Sequence, residues 1–272
     1  MIEVKNVTKK YGSFVAVDDI NFSINDGEVV GFLGPNGAGK TTTMNIITGF
    51  IEQTEGNVIV NGFDTVKKPK KAKQEIGYMP EGVPLYMDLT VKEFVTYMAE
   101  LRKVDKKIKK DKVQNVLKET GLIEMQNKLI KNLSRGQKQR VSLAGTLVGD
   151  PKVLILDEPT VGLDPKQITE IRSLIKELGK KHTVILSSHI LSEVSQICDK
   201  VIIINKGKIV AIDTPENLEK KVANNNIVYV TVEDPENKVE SIKDKIEGIK
   251  EIKLLETNEE KNSQKKRELC KI

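Results

Sequence analysis

Hydrophobic residues recur along the chain at two different spacings, which predict strands and helices in turn. Residues 2–24 alternate apolar and polar positions, and this period of two predicts short strands broken by turns at 11–13 and 25–27. The continuous apolar run 29–33 is followed by glycines and then by a segment, 41–48, that can form a helix. A buried strand, a loop and a helix in this order indicate the start of an α/β unit.

The middle of the chain has the period of amphipathic helices. Between 89 and 147, apolar residues recur at spacings of three and four, and Thr90 is placed to cap the first helix. Strands and helices then alternate. Strands are expected at 153–156, 184–186, 201–204 and 209–212, and helices at 168–178 and 191–197. This alternation predicts a largely parallel sheet with both faces covered.

The same patterns predict the domain organisation. We expect one α/β domain over 1–220, with a mostly helical subdomain inserted at about 82–148. A small β-α-β extension is expected at 221–260, with strands around 228–232 and 252–255 and a helix at 239–249. The last segment, 261–272, is polar and is expected to be disordered.

Composition narrows the class of protein. The 44 basic and 39 acidic residues leave a net charge of +5, too small a surplus to predict a nucleic-acid partner. Two cysteines, Cys198 and Cys270, predict neither a disulfide framework nor a structural zinc site. Residues 1–5 lack the pattern of a signal peptide, and no apolar run reaches the roughly 18 residues that span a bilayer. We therefore expect a reduced, intracellular, soluble protein, while a membrane partner remains open.

A glycine-rich segment after the first buried strand matches the phosphate-binding pattern G-x-x-x-x-G-K-[ST]. It consists of Gly34, Pro35, Asn36, Gly37, Ala38, Gly39, Lys40 and Thr41, and Thr42 continues it. Its backbone N–H groups can surround a phosphate, and the following helix adds its positive end. Lys40 is suited to the β- and γ-phosphates, and the Thr41 hydroxyl to Mg²⁺. The alternative is a glycine turn with a solvated lysine, but the strand, loop and helix favour nucleotide binding.

Two adjacent carboxylates, Asp157 and Glu158, follow the apolar strand 153–156. Successive strand residues point to opposite sides, so the two acids need not share a role. Asp157 is suited to Mg²⁺, directly or through water. Glu158 is placed to orient or deprotonate a water that attacks the γ-phosphate. Two solvated acids at a strand end are the alternative, which the phosphate-binding loop in the same chain disfavours.

Further segments carry a resemblance to one family. Residues 133–137, Leu-Ser-Arg-Gly-Gln, resemble the LSGGQ signature of ABC-transporter ATPases, and 162–165, Gly-Leu-Asp-Pro, resemble their D-loop. His189 resembles their switch histidine, and Tyr11 the aromatic residue of their A-loop. The motifs occur in the family's order, and the similarity covers about residues 1–220.

The resemblance implies an α/β P-loop NTPase fold of the ABC ATPase type. An N-terminal antiparallel β subdomain, a helical subdomain and a small C-terminal α+β appendage would complete it. Such domains work as head-to-tail pairs with two ATP molecules between them, so that Ser134, Gly136 and Gln137 would contact the ATP held by a second copy. A helix start favours phosphate, and one loop and one signature per chain suit a symmetric dimer. A serine that merely caps its helix is the alternative.

The resemblance also implies roles for three single residues. Tyr11 would stack on adenine, His189 would contact the γ-phosphate and help to hold the attacking water, and Asp164 would link the two active sites across the dimer. Each has a structural alternative. Tyr11 could pack on its own sheet, a lone histidine is often structural, and an aspartate before Pro165 could simply form a turn.

The implied function is that of an ATP-binding and ATP-hydrolysing subunit of an ABC transporter, with ATP and Mg²⁺ as cofactors. Its partners would be a second copy, or a paralogous ATPase subunit, and a separately encoded transmembrane permease. It would lie on the cytoplasmic, inner face of the cell membrane and pass its motion to the permease around 81–89. The undivided N-terminal domain and Glu81 favour an exporter over an importer.

Two positions depart from the family pattern. Glu81 stands where the family usually has glutamine; we expect it to remain a Mg²⁺ ligand, since a carboxylate is a hard oxygen donor. Arg135 replaces the first glycine of the signature pair. It could add charge near the phosphates of the second copy or face solvent.

Two other functions compete. A soluble ABC-type ATPase acting on ribosomes or DNA is disfavoured, because the chain has one such domain and no coiled-coil heptads. A GTPase is disfavoured because 205–208, Asn-Lys-Gly-Lys, lacks the final aspartate of N-K-x-D.

Two basic runs occur at 67–71 and 106–110. They fit solvated surfaces of the protein or, alternatively, surfaces attracted to anionic lipid headgroups.

Overall fold

A computed structural model describes residues 1–82, 85–223, 227–233, 251–260 and 263–271. The chain divides into two compact units, Met1–Pro215 and Glu216–Ile272. The boundary therefore falls a few residues before the expected position 220.

An antiparallel sheet begins the first unit. Its strands are β1 (Ile2–Tyr11), β2 (Phe14–Ile24), β4 (Glu55–Val60) and β5 (Phe63–Asp64), in the order β2-β1-β4-β5. The sequence predicted several short strands before residue 25, but β1 and β2 are two long ones. The β1–β2 pairing shifts register between Val4 and Val7, next to Asn6 with its positive φ of 50°. Such bulges interrupt the alternation of side chains without ending a strand.

A six-stranded sheet forms the centre of this unit. Its strands are β3 (Val29–Leu33), β6 (Ile76–Met79), β7 (Val153–Leu156), β8 (Thr183–Ser188), β9 (Lys200–Asn205) and β10 (Lys208–Asp213). The order is β10-β9-β3-β8-β7-β6, and every pairing except that of β10 with β9 is parallel. All residues of β7 and β8 are buried, as expected for strands covered on both faces. The predicted parallel sheet is confirmed.

Helices connect the strands. They are α1 (Lys40–Ile47), α2 (Pro69–Glu75), α3 (Val91–Leu101), α4 (Lys106–Glu119), α5 (Arg135–Leu147), α6 (Pro165–Gly179), α7 (Leu191–Val194) and α8 (Pro215–Ala223), with 3₁₀ turns at Ile123–Met125 and Ile130–Asn132. Thr90 caps α3 as predicted, within a capping box completed by Glu93. Helix α7 is shorter than the predicted 191–197. Part of the basic run 67–71 forms α2, which Pro69 can begin because its ring presets a helical φ.

The second unit contains a small antiparallel sheet, which differs from the expected extension. Strands β11 (Ile227–Glu233), β12 (Glu251–Glu260) and β13 (Ser263–Lys271) have the order β11-β13-β12. The expectation that 261–272 is disordered is wrong for β13, which pairs with a strand on each side and so has its backbone hydrogen-bonded despite its polar sequence. The predicted helix 239–249 lies outside the described residues.

Candidate nucleotide-hydrolysing site

The phosphate-binding loop joins β3 to α1 and fits tightly between neighbouring backbone segments. Gly39 has a φ of 108°, and a Cβ atom there would lie 2.8 Å from the Ala16 carbonyl oxygen. A Cβ at Gly34 would lie 2.4 Å from the Ile204 carbonyl oxygen. Only glycine fits these two positions without a shift of the backbone.

The segment 205–208 supports this loop. Lys206 and Gly207 both have positive φ, 48° and 77°, and form the two-residue turn of the β9–β10 hairpin. The Gly207 N–H donates to the Ala38 carbonyl over 2.9 Å. Residues 205–208, which partly match the guanine-binding pattern N-K-x-D, thus form a hairpin turn that is hydrogen-bonded to the phosphate-binding loop.

Lys40 is the first residue of α1, and its ammonium group is almost fully buried. Its Nζ donates to the carbonyl oxygens of Gly34 at 2.8 Å and Pro35 at 3.4 Å. Its Nζ also lies 3.3 Å from Glu158 Oε1, and each of the two side chains is only 7% exposed. The loop therefore holds a buried positive charge directly beside the glutamate.

Asp157 and Glu158 follow β7, and Ser187 of β8 connects them. The Ser187 hydroxyl donates to Asp157 Oδ1 at 2.5 Å and accepts from the Glu158 N–H at 2.8 Å. Glu158 has a φ of 48°, a strained backbone conformation for this residue type. Its Oε2 lies 3.1 Å from His189 Nδ1, so the carboxylate contacts Lys40 on one oxygen and His189 on the other.

The donors around Asp157 fit a hard cation. Asp157 Oδ2 is buried and has no hydrogen-bond partner among the described residues. Thr41 and Glu81 line the adjoining cleft and offer further oxygen ligands. In the described ranges, no group of three His, Cys, Asp or Glu side chains is arranged to hold a metal ion. Burial, and secondarily the Asp157 charge, raises the pKa of nearby Tyr78 to about 12.

Lys40, Thr41, Glu81 and Glu158 line a cleft of about 390 Å³, whereas Asp157 and His189 are not among its lining residues. Its lining residues are Phe14, Ala16, Pro35, Asn36, Gly37, Gly39, Lys40, Thr41, Thr42, Glu81 and Glu158. Phe14 was missed by sequence analysis, although its aromatic ring occurs three residues after Tyr11 and is 65% exposed. Tyr11 is not among the lining residues; its ring lies 5.1 Å from Lys9 Nζ.

The signature segment and the predicted D-loop aspartate share a second cleft of about 350 Å³. Ser134 caps α5: its Oγ accepts from the Gln137 N–H at 3.3 Å, and its own N–H donates to Gln137 Oε1 at 2.9 Å. Asp164 caps α6 by accepting from the Gln167 N–H at 2.9 Å. Ser134, Gly136, Gln137 and Asp164 thus lie around one cleft at the N-terminal ends of two helices, where backbone N–H groups favour an anion.

The fold and this site define a P-loop ATPase, and comparisons with known proteins give its family. Residues 17–161 match the family described as "ABC transporter". The linearmycin resistance ATP-binding protein LnrL of Bacillus subtilis is 37% identical, over 85% of this chain and 75% of its own. The bacitracin transport ATP-binding protein BcrA of Bacillus licheniformis is 40% identical, over 81% of this chain and 72% of its own.

A solved structure agrees in fold. The dimeric ATP-binding cassette MJ0796, bound to ADP and Pi, superposes with a TM-score of 0.71 and 28% identity, covering 79% of this chain and 99% of its own. The chain belongs to the ABC transporter family and is an ATP-binding subunit with ATPase activity. The predicted family, fold class and enzymatic activity are confirmed. Among the described residues, no helix is long and apolar enough to cross a membrane.

Proposed function

We propose that the chain is the energy-coupling subunit of an exporter and that it works as a head-to-tail pair around two MgATP. The names of two relatives, for linearmycin resistance and for bacitracin transport, support export. ATP binding would close the pair, and hydrolysis with product release would reopen it.

The contact of one carboxylate with both Lys40 and His189 carries the hydrolytic part of this proposal. Glu158 orients or deprotonates the attacking water, a step that contributes about 10²–10⁴-fold in known enzymes. Lys40 would bind the β- and γ-phosphates, and its position 3.3 Å from Glu158 supports a γ-phosphate next to this base. His189, 3.1 Å from the same carboxylate, holds the water and the γ-phosphate.

The oxygen ligands of this cleft would hold Mg²⁺ together with ATP. We assign them to Thr41 and Glu81, which line the cleft, and to Asp157, which precedes the lining residue Glu158; the unpaired Oδ2 of Asp157 supports the assignment. The ion, when bound, neutralises charge that develops on the phosphate oxygens.

A second copy would complete each site. One chain holds a phosphate-binding cleft and, in a different part of its surface, the cleft of Ser134 and Gly136. In a head-to-tail pair, the backbone N–H groups at the start of α5 contact the ATP phosphates held by the partner. Asp164, in the same cleft, links the two sites. The dimeric state of MJ0796 supports this arrangement.

A separately encoded transmembrane permease would be the membrane partner, with the chain on the inner face of the membrane. Residues 85–89 and Tyr97 line a groove of about 630 Å³. Tyr86 is 53% exposed there, and its ring stacks edge-on against Tyr97 at 5.5 Å. An exposed aromatic groove of this kind suits an apolar partner surface.

The test combines hydrolysis with assembly. Glu158→Gln removes the base but keeps the shape, so we expect ATP turnover to fall about 10²–10⁴-fold while ATP binding persists. The variant saturated with MgATP should then form a dimer in multi-angle light scattering, and should be a monomer with ADP. Glu177→Gln, a change on the exposed side of α6, is the matched control.

A Glu158→Gln chain that stays monomeric at high concentration with MgATP, even with its permease supplied, would contradict the paired mechanism. Unchanged turnover in the same variant would contradict the role of Glu158. Co-purification with ribosomes or DNA rather than with membranes would favour the alternative soluble ATPase.

A further inference from the structure

One carboxylate oxygen of Glu193, on the short helix α7, accepts hydrogen bonds from two hydroxyl groups. Thr160 Oγ1 donates to Glu193 Oε2 over 2.7 Å, and Ser188 Oγ donates to the same atom over 3.4 Å. Both hydroxyl residues are nearly inaccessible, with Thr160 7% and Ser188 2% exposed. Hydrogen bonds to an ionised acceptor are stronger than neutral ones, so this acid adds a strong link between two segments that Ser187 and the pairing of β7 with β8 also connect.

The two segments are those that carry the catalytic groups. Thr160 lies two residues after Glu158, in the connection that continues to Asp164. Ser188 ends β8 and directly precedes His189. The Ser188 hydroxyl also accepts from the Ile190 N–H at 3.1 Å, which fixes the backbone on both sides of the histidine.

Ser188 reaches the phosphate-binding loop as well. Its carbonyl oxygen accepts from the Gly34 N–H at 3.3 Å. The position of Ser188 is therefore tied to the loop through its backbone and to the segment after Glu158 through Glu193.

We propose that Glu193 is a positioning residue, which sets the distance between Glu158 and His189 by bonding Thr160 and Ser188. The inference rests on the proposed roles of Glu158 and His189 in hydrolysis. The 3.1 Å contact between these two side chains bridges the same two segments that Glu193 joins, so loss of the bridge changes their relative position.

We expect that Glu193 makes no direct contact with the nucleotide. In the part of the chain that the structure describes, it is not among the residues that line the phosphate-binding cleft. The bridge therefore affects the geometry of the chemical step more than the affinity for ATP, and its loss changes kcat and not KM.

The experiment measures kcat and KM for ATP in Glu193→Ala, Thr160→Val and their double variant. A misplacement of about 1 Å can reduce a rate about 10²-fold, so we expect each single variant to lose about 10- to 100-fold in kcat with KM within about twofold. The double variant should lose no more than the worse single one, because the two changes break the same bond. Thr160→Ser, which keeps the hydroxyl, should restore most of the rate.

Glu177→Ala, an exposed acid on α6, is the matched control and should leave kcat unchanged. Circular dichroism and urea unfolding measure the folded fraction of every variant. If Glu193→Ala unfolds the chain, Thr160→Val and its Thr160→Ser counterpart carry the test.

Three results would overturn the positioning role: kcat within about twofold of the parent in a folded Glu193→Ala or Thr160→Val chain, losses that add fully in the double variant, or a fall in kcat that merely follows the folded fraction. If one of these results is found while Glu158→Gln, assayed in parallel, loses its ATP turnover, the proposed function stands and only the positioning role of Glu193 fails. If Glu158→Gln keeps full turnover, the proposed function itself fails.

Discussion

The guanidinium of Arg135 lies where a side chain at position 162 would begin. A Cβ built on Gly162 would be 2.1 Å from Arg135 Cζ and no more than 2.3 Å from either Nη atom. Arg135 is the first residue of α5, and Gly162 lies in the turn before α6. The arginine that departs from the family signature thus packs on the predicted D-loop of its own chain while it stays exposed to solvent, as one of the two sequence-based alternatives had it.

This contact predicts the effect of Gly162→Ala. The φ of Gly162 is 72°, where an alanine is strained, so we expect a loss of about 1–2 kcal/mol in the free energy of unfolding, measured by urea denaturation. The clash itself is with the end of a flexible side chain, which can move away. Arg135→Gly should therefore recover little of the lost stability, and a full recovery would show that the clash, not the strain, dominates.

Ser187 is predicted to stabilise the fold around Asp157 and Glu158. Ser187→Ala removes the partner of both Asp157 Oδ1 and the Glu158 N–H, two buried groups. An unsatisfied buried polar group costs about 1–3 kcal/mol, so the free energy of unfolding should fall by at least that amount. Ser173→Ala is the control, because Ser173 donates only to a carbonyl within exposed helix turns. Equal effects of the two substitutions would argue against this account.

Sequence patterns predicted the central sheet well and its surroundings less well. Strand β7 was predicted with its observed bounds, because its four apolar residues lie between a proline–lysine pair and two acids, which mark both ends of the buried strand. The strand β13 could not be predicted from its polar residues, because its pairing with two neighbours is a tertiary property. The phosphate-binding loop was found because its chemistry is local. Ser187 and Glu193 were missed, since only the fold brings them to Asp157 and Thr160.

Glu81 is predicted to bind Mg²⁺. It lines the same cleft as Thr41, and its removal leaves one oxygen ligand fewer. In Glu81→Ala, we expect the Mg²⁺ concentration for half-maximal ATPase activity to rise several-fold. Glu81→Gln keeps an oxygen ligand and should show a smaller shift. If Glu81→Ala leaves both the ATPase activity and its Mg²⁺ dependence unchanged, the hypothesis is wrong.

The adenine-stacking residue can be identified by comparing two aromatic residues. Stacking of a base on an aromatic ring is worth about 1–3 kcal/mol, so loss of the stacking residue should weaken ATP binding about 5- to 150-fold. We predict this loss for Tyr11→Ala and retention of binding for Tyr11→Phe, measured by titration calorimetry. Phe14→Ala is the comparison, because Phe14 lines the cleft. A larger loss in Phe14→Ala than in Tyr11→Ala would transfer the stacking role to Phe14.

Glu28 is predicted to make the stability of the first unit depend on pH. Burial alone would raise the pKa of its carboxyl group, but hydrogen bonds from Asn25 and the ion pair with Lys200 lower it below its usual 4.5. A group with a lowered folded-state pKa stabilises the fold above its unfolded-state pKa, and this contribution disappears as the pH falls through the folded-state value. The difference in unfolding free energy between the parent chain and Glu28→Gln should therefore be constant near pH 7 and shrink below about pH 4.5. Urea denaturation of both chains from pH 7 to pH 3 measures this difference in unfolding free energy.

The control is Glu177→Gln, which breaks the exposed ion pair with Lys180 and should change the free energy of unfolding by less than about 1 kcal/mol. A Glu28→Gln difference that stays constant down to pH 3 would contradict the lowered pKa.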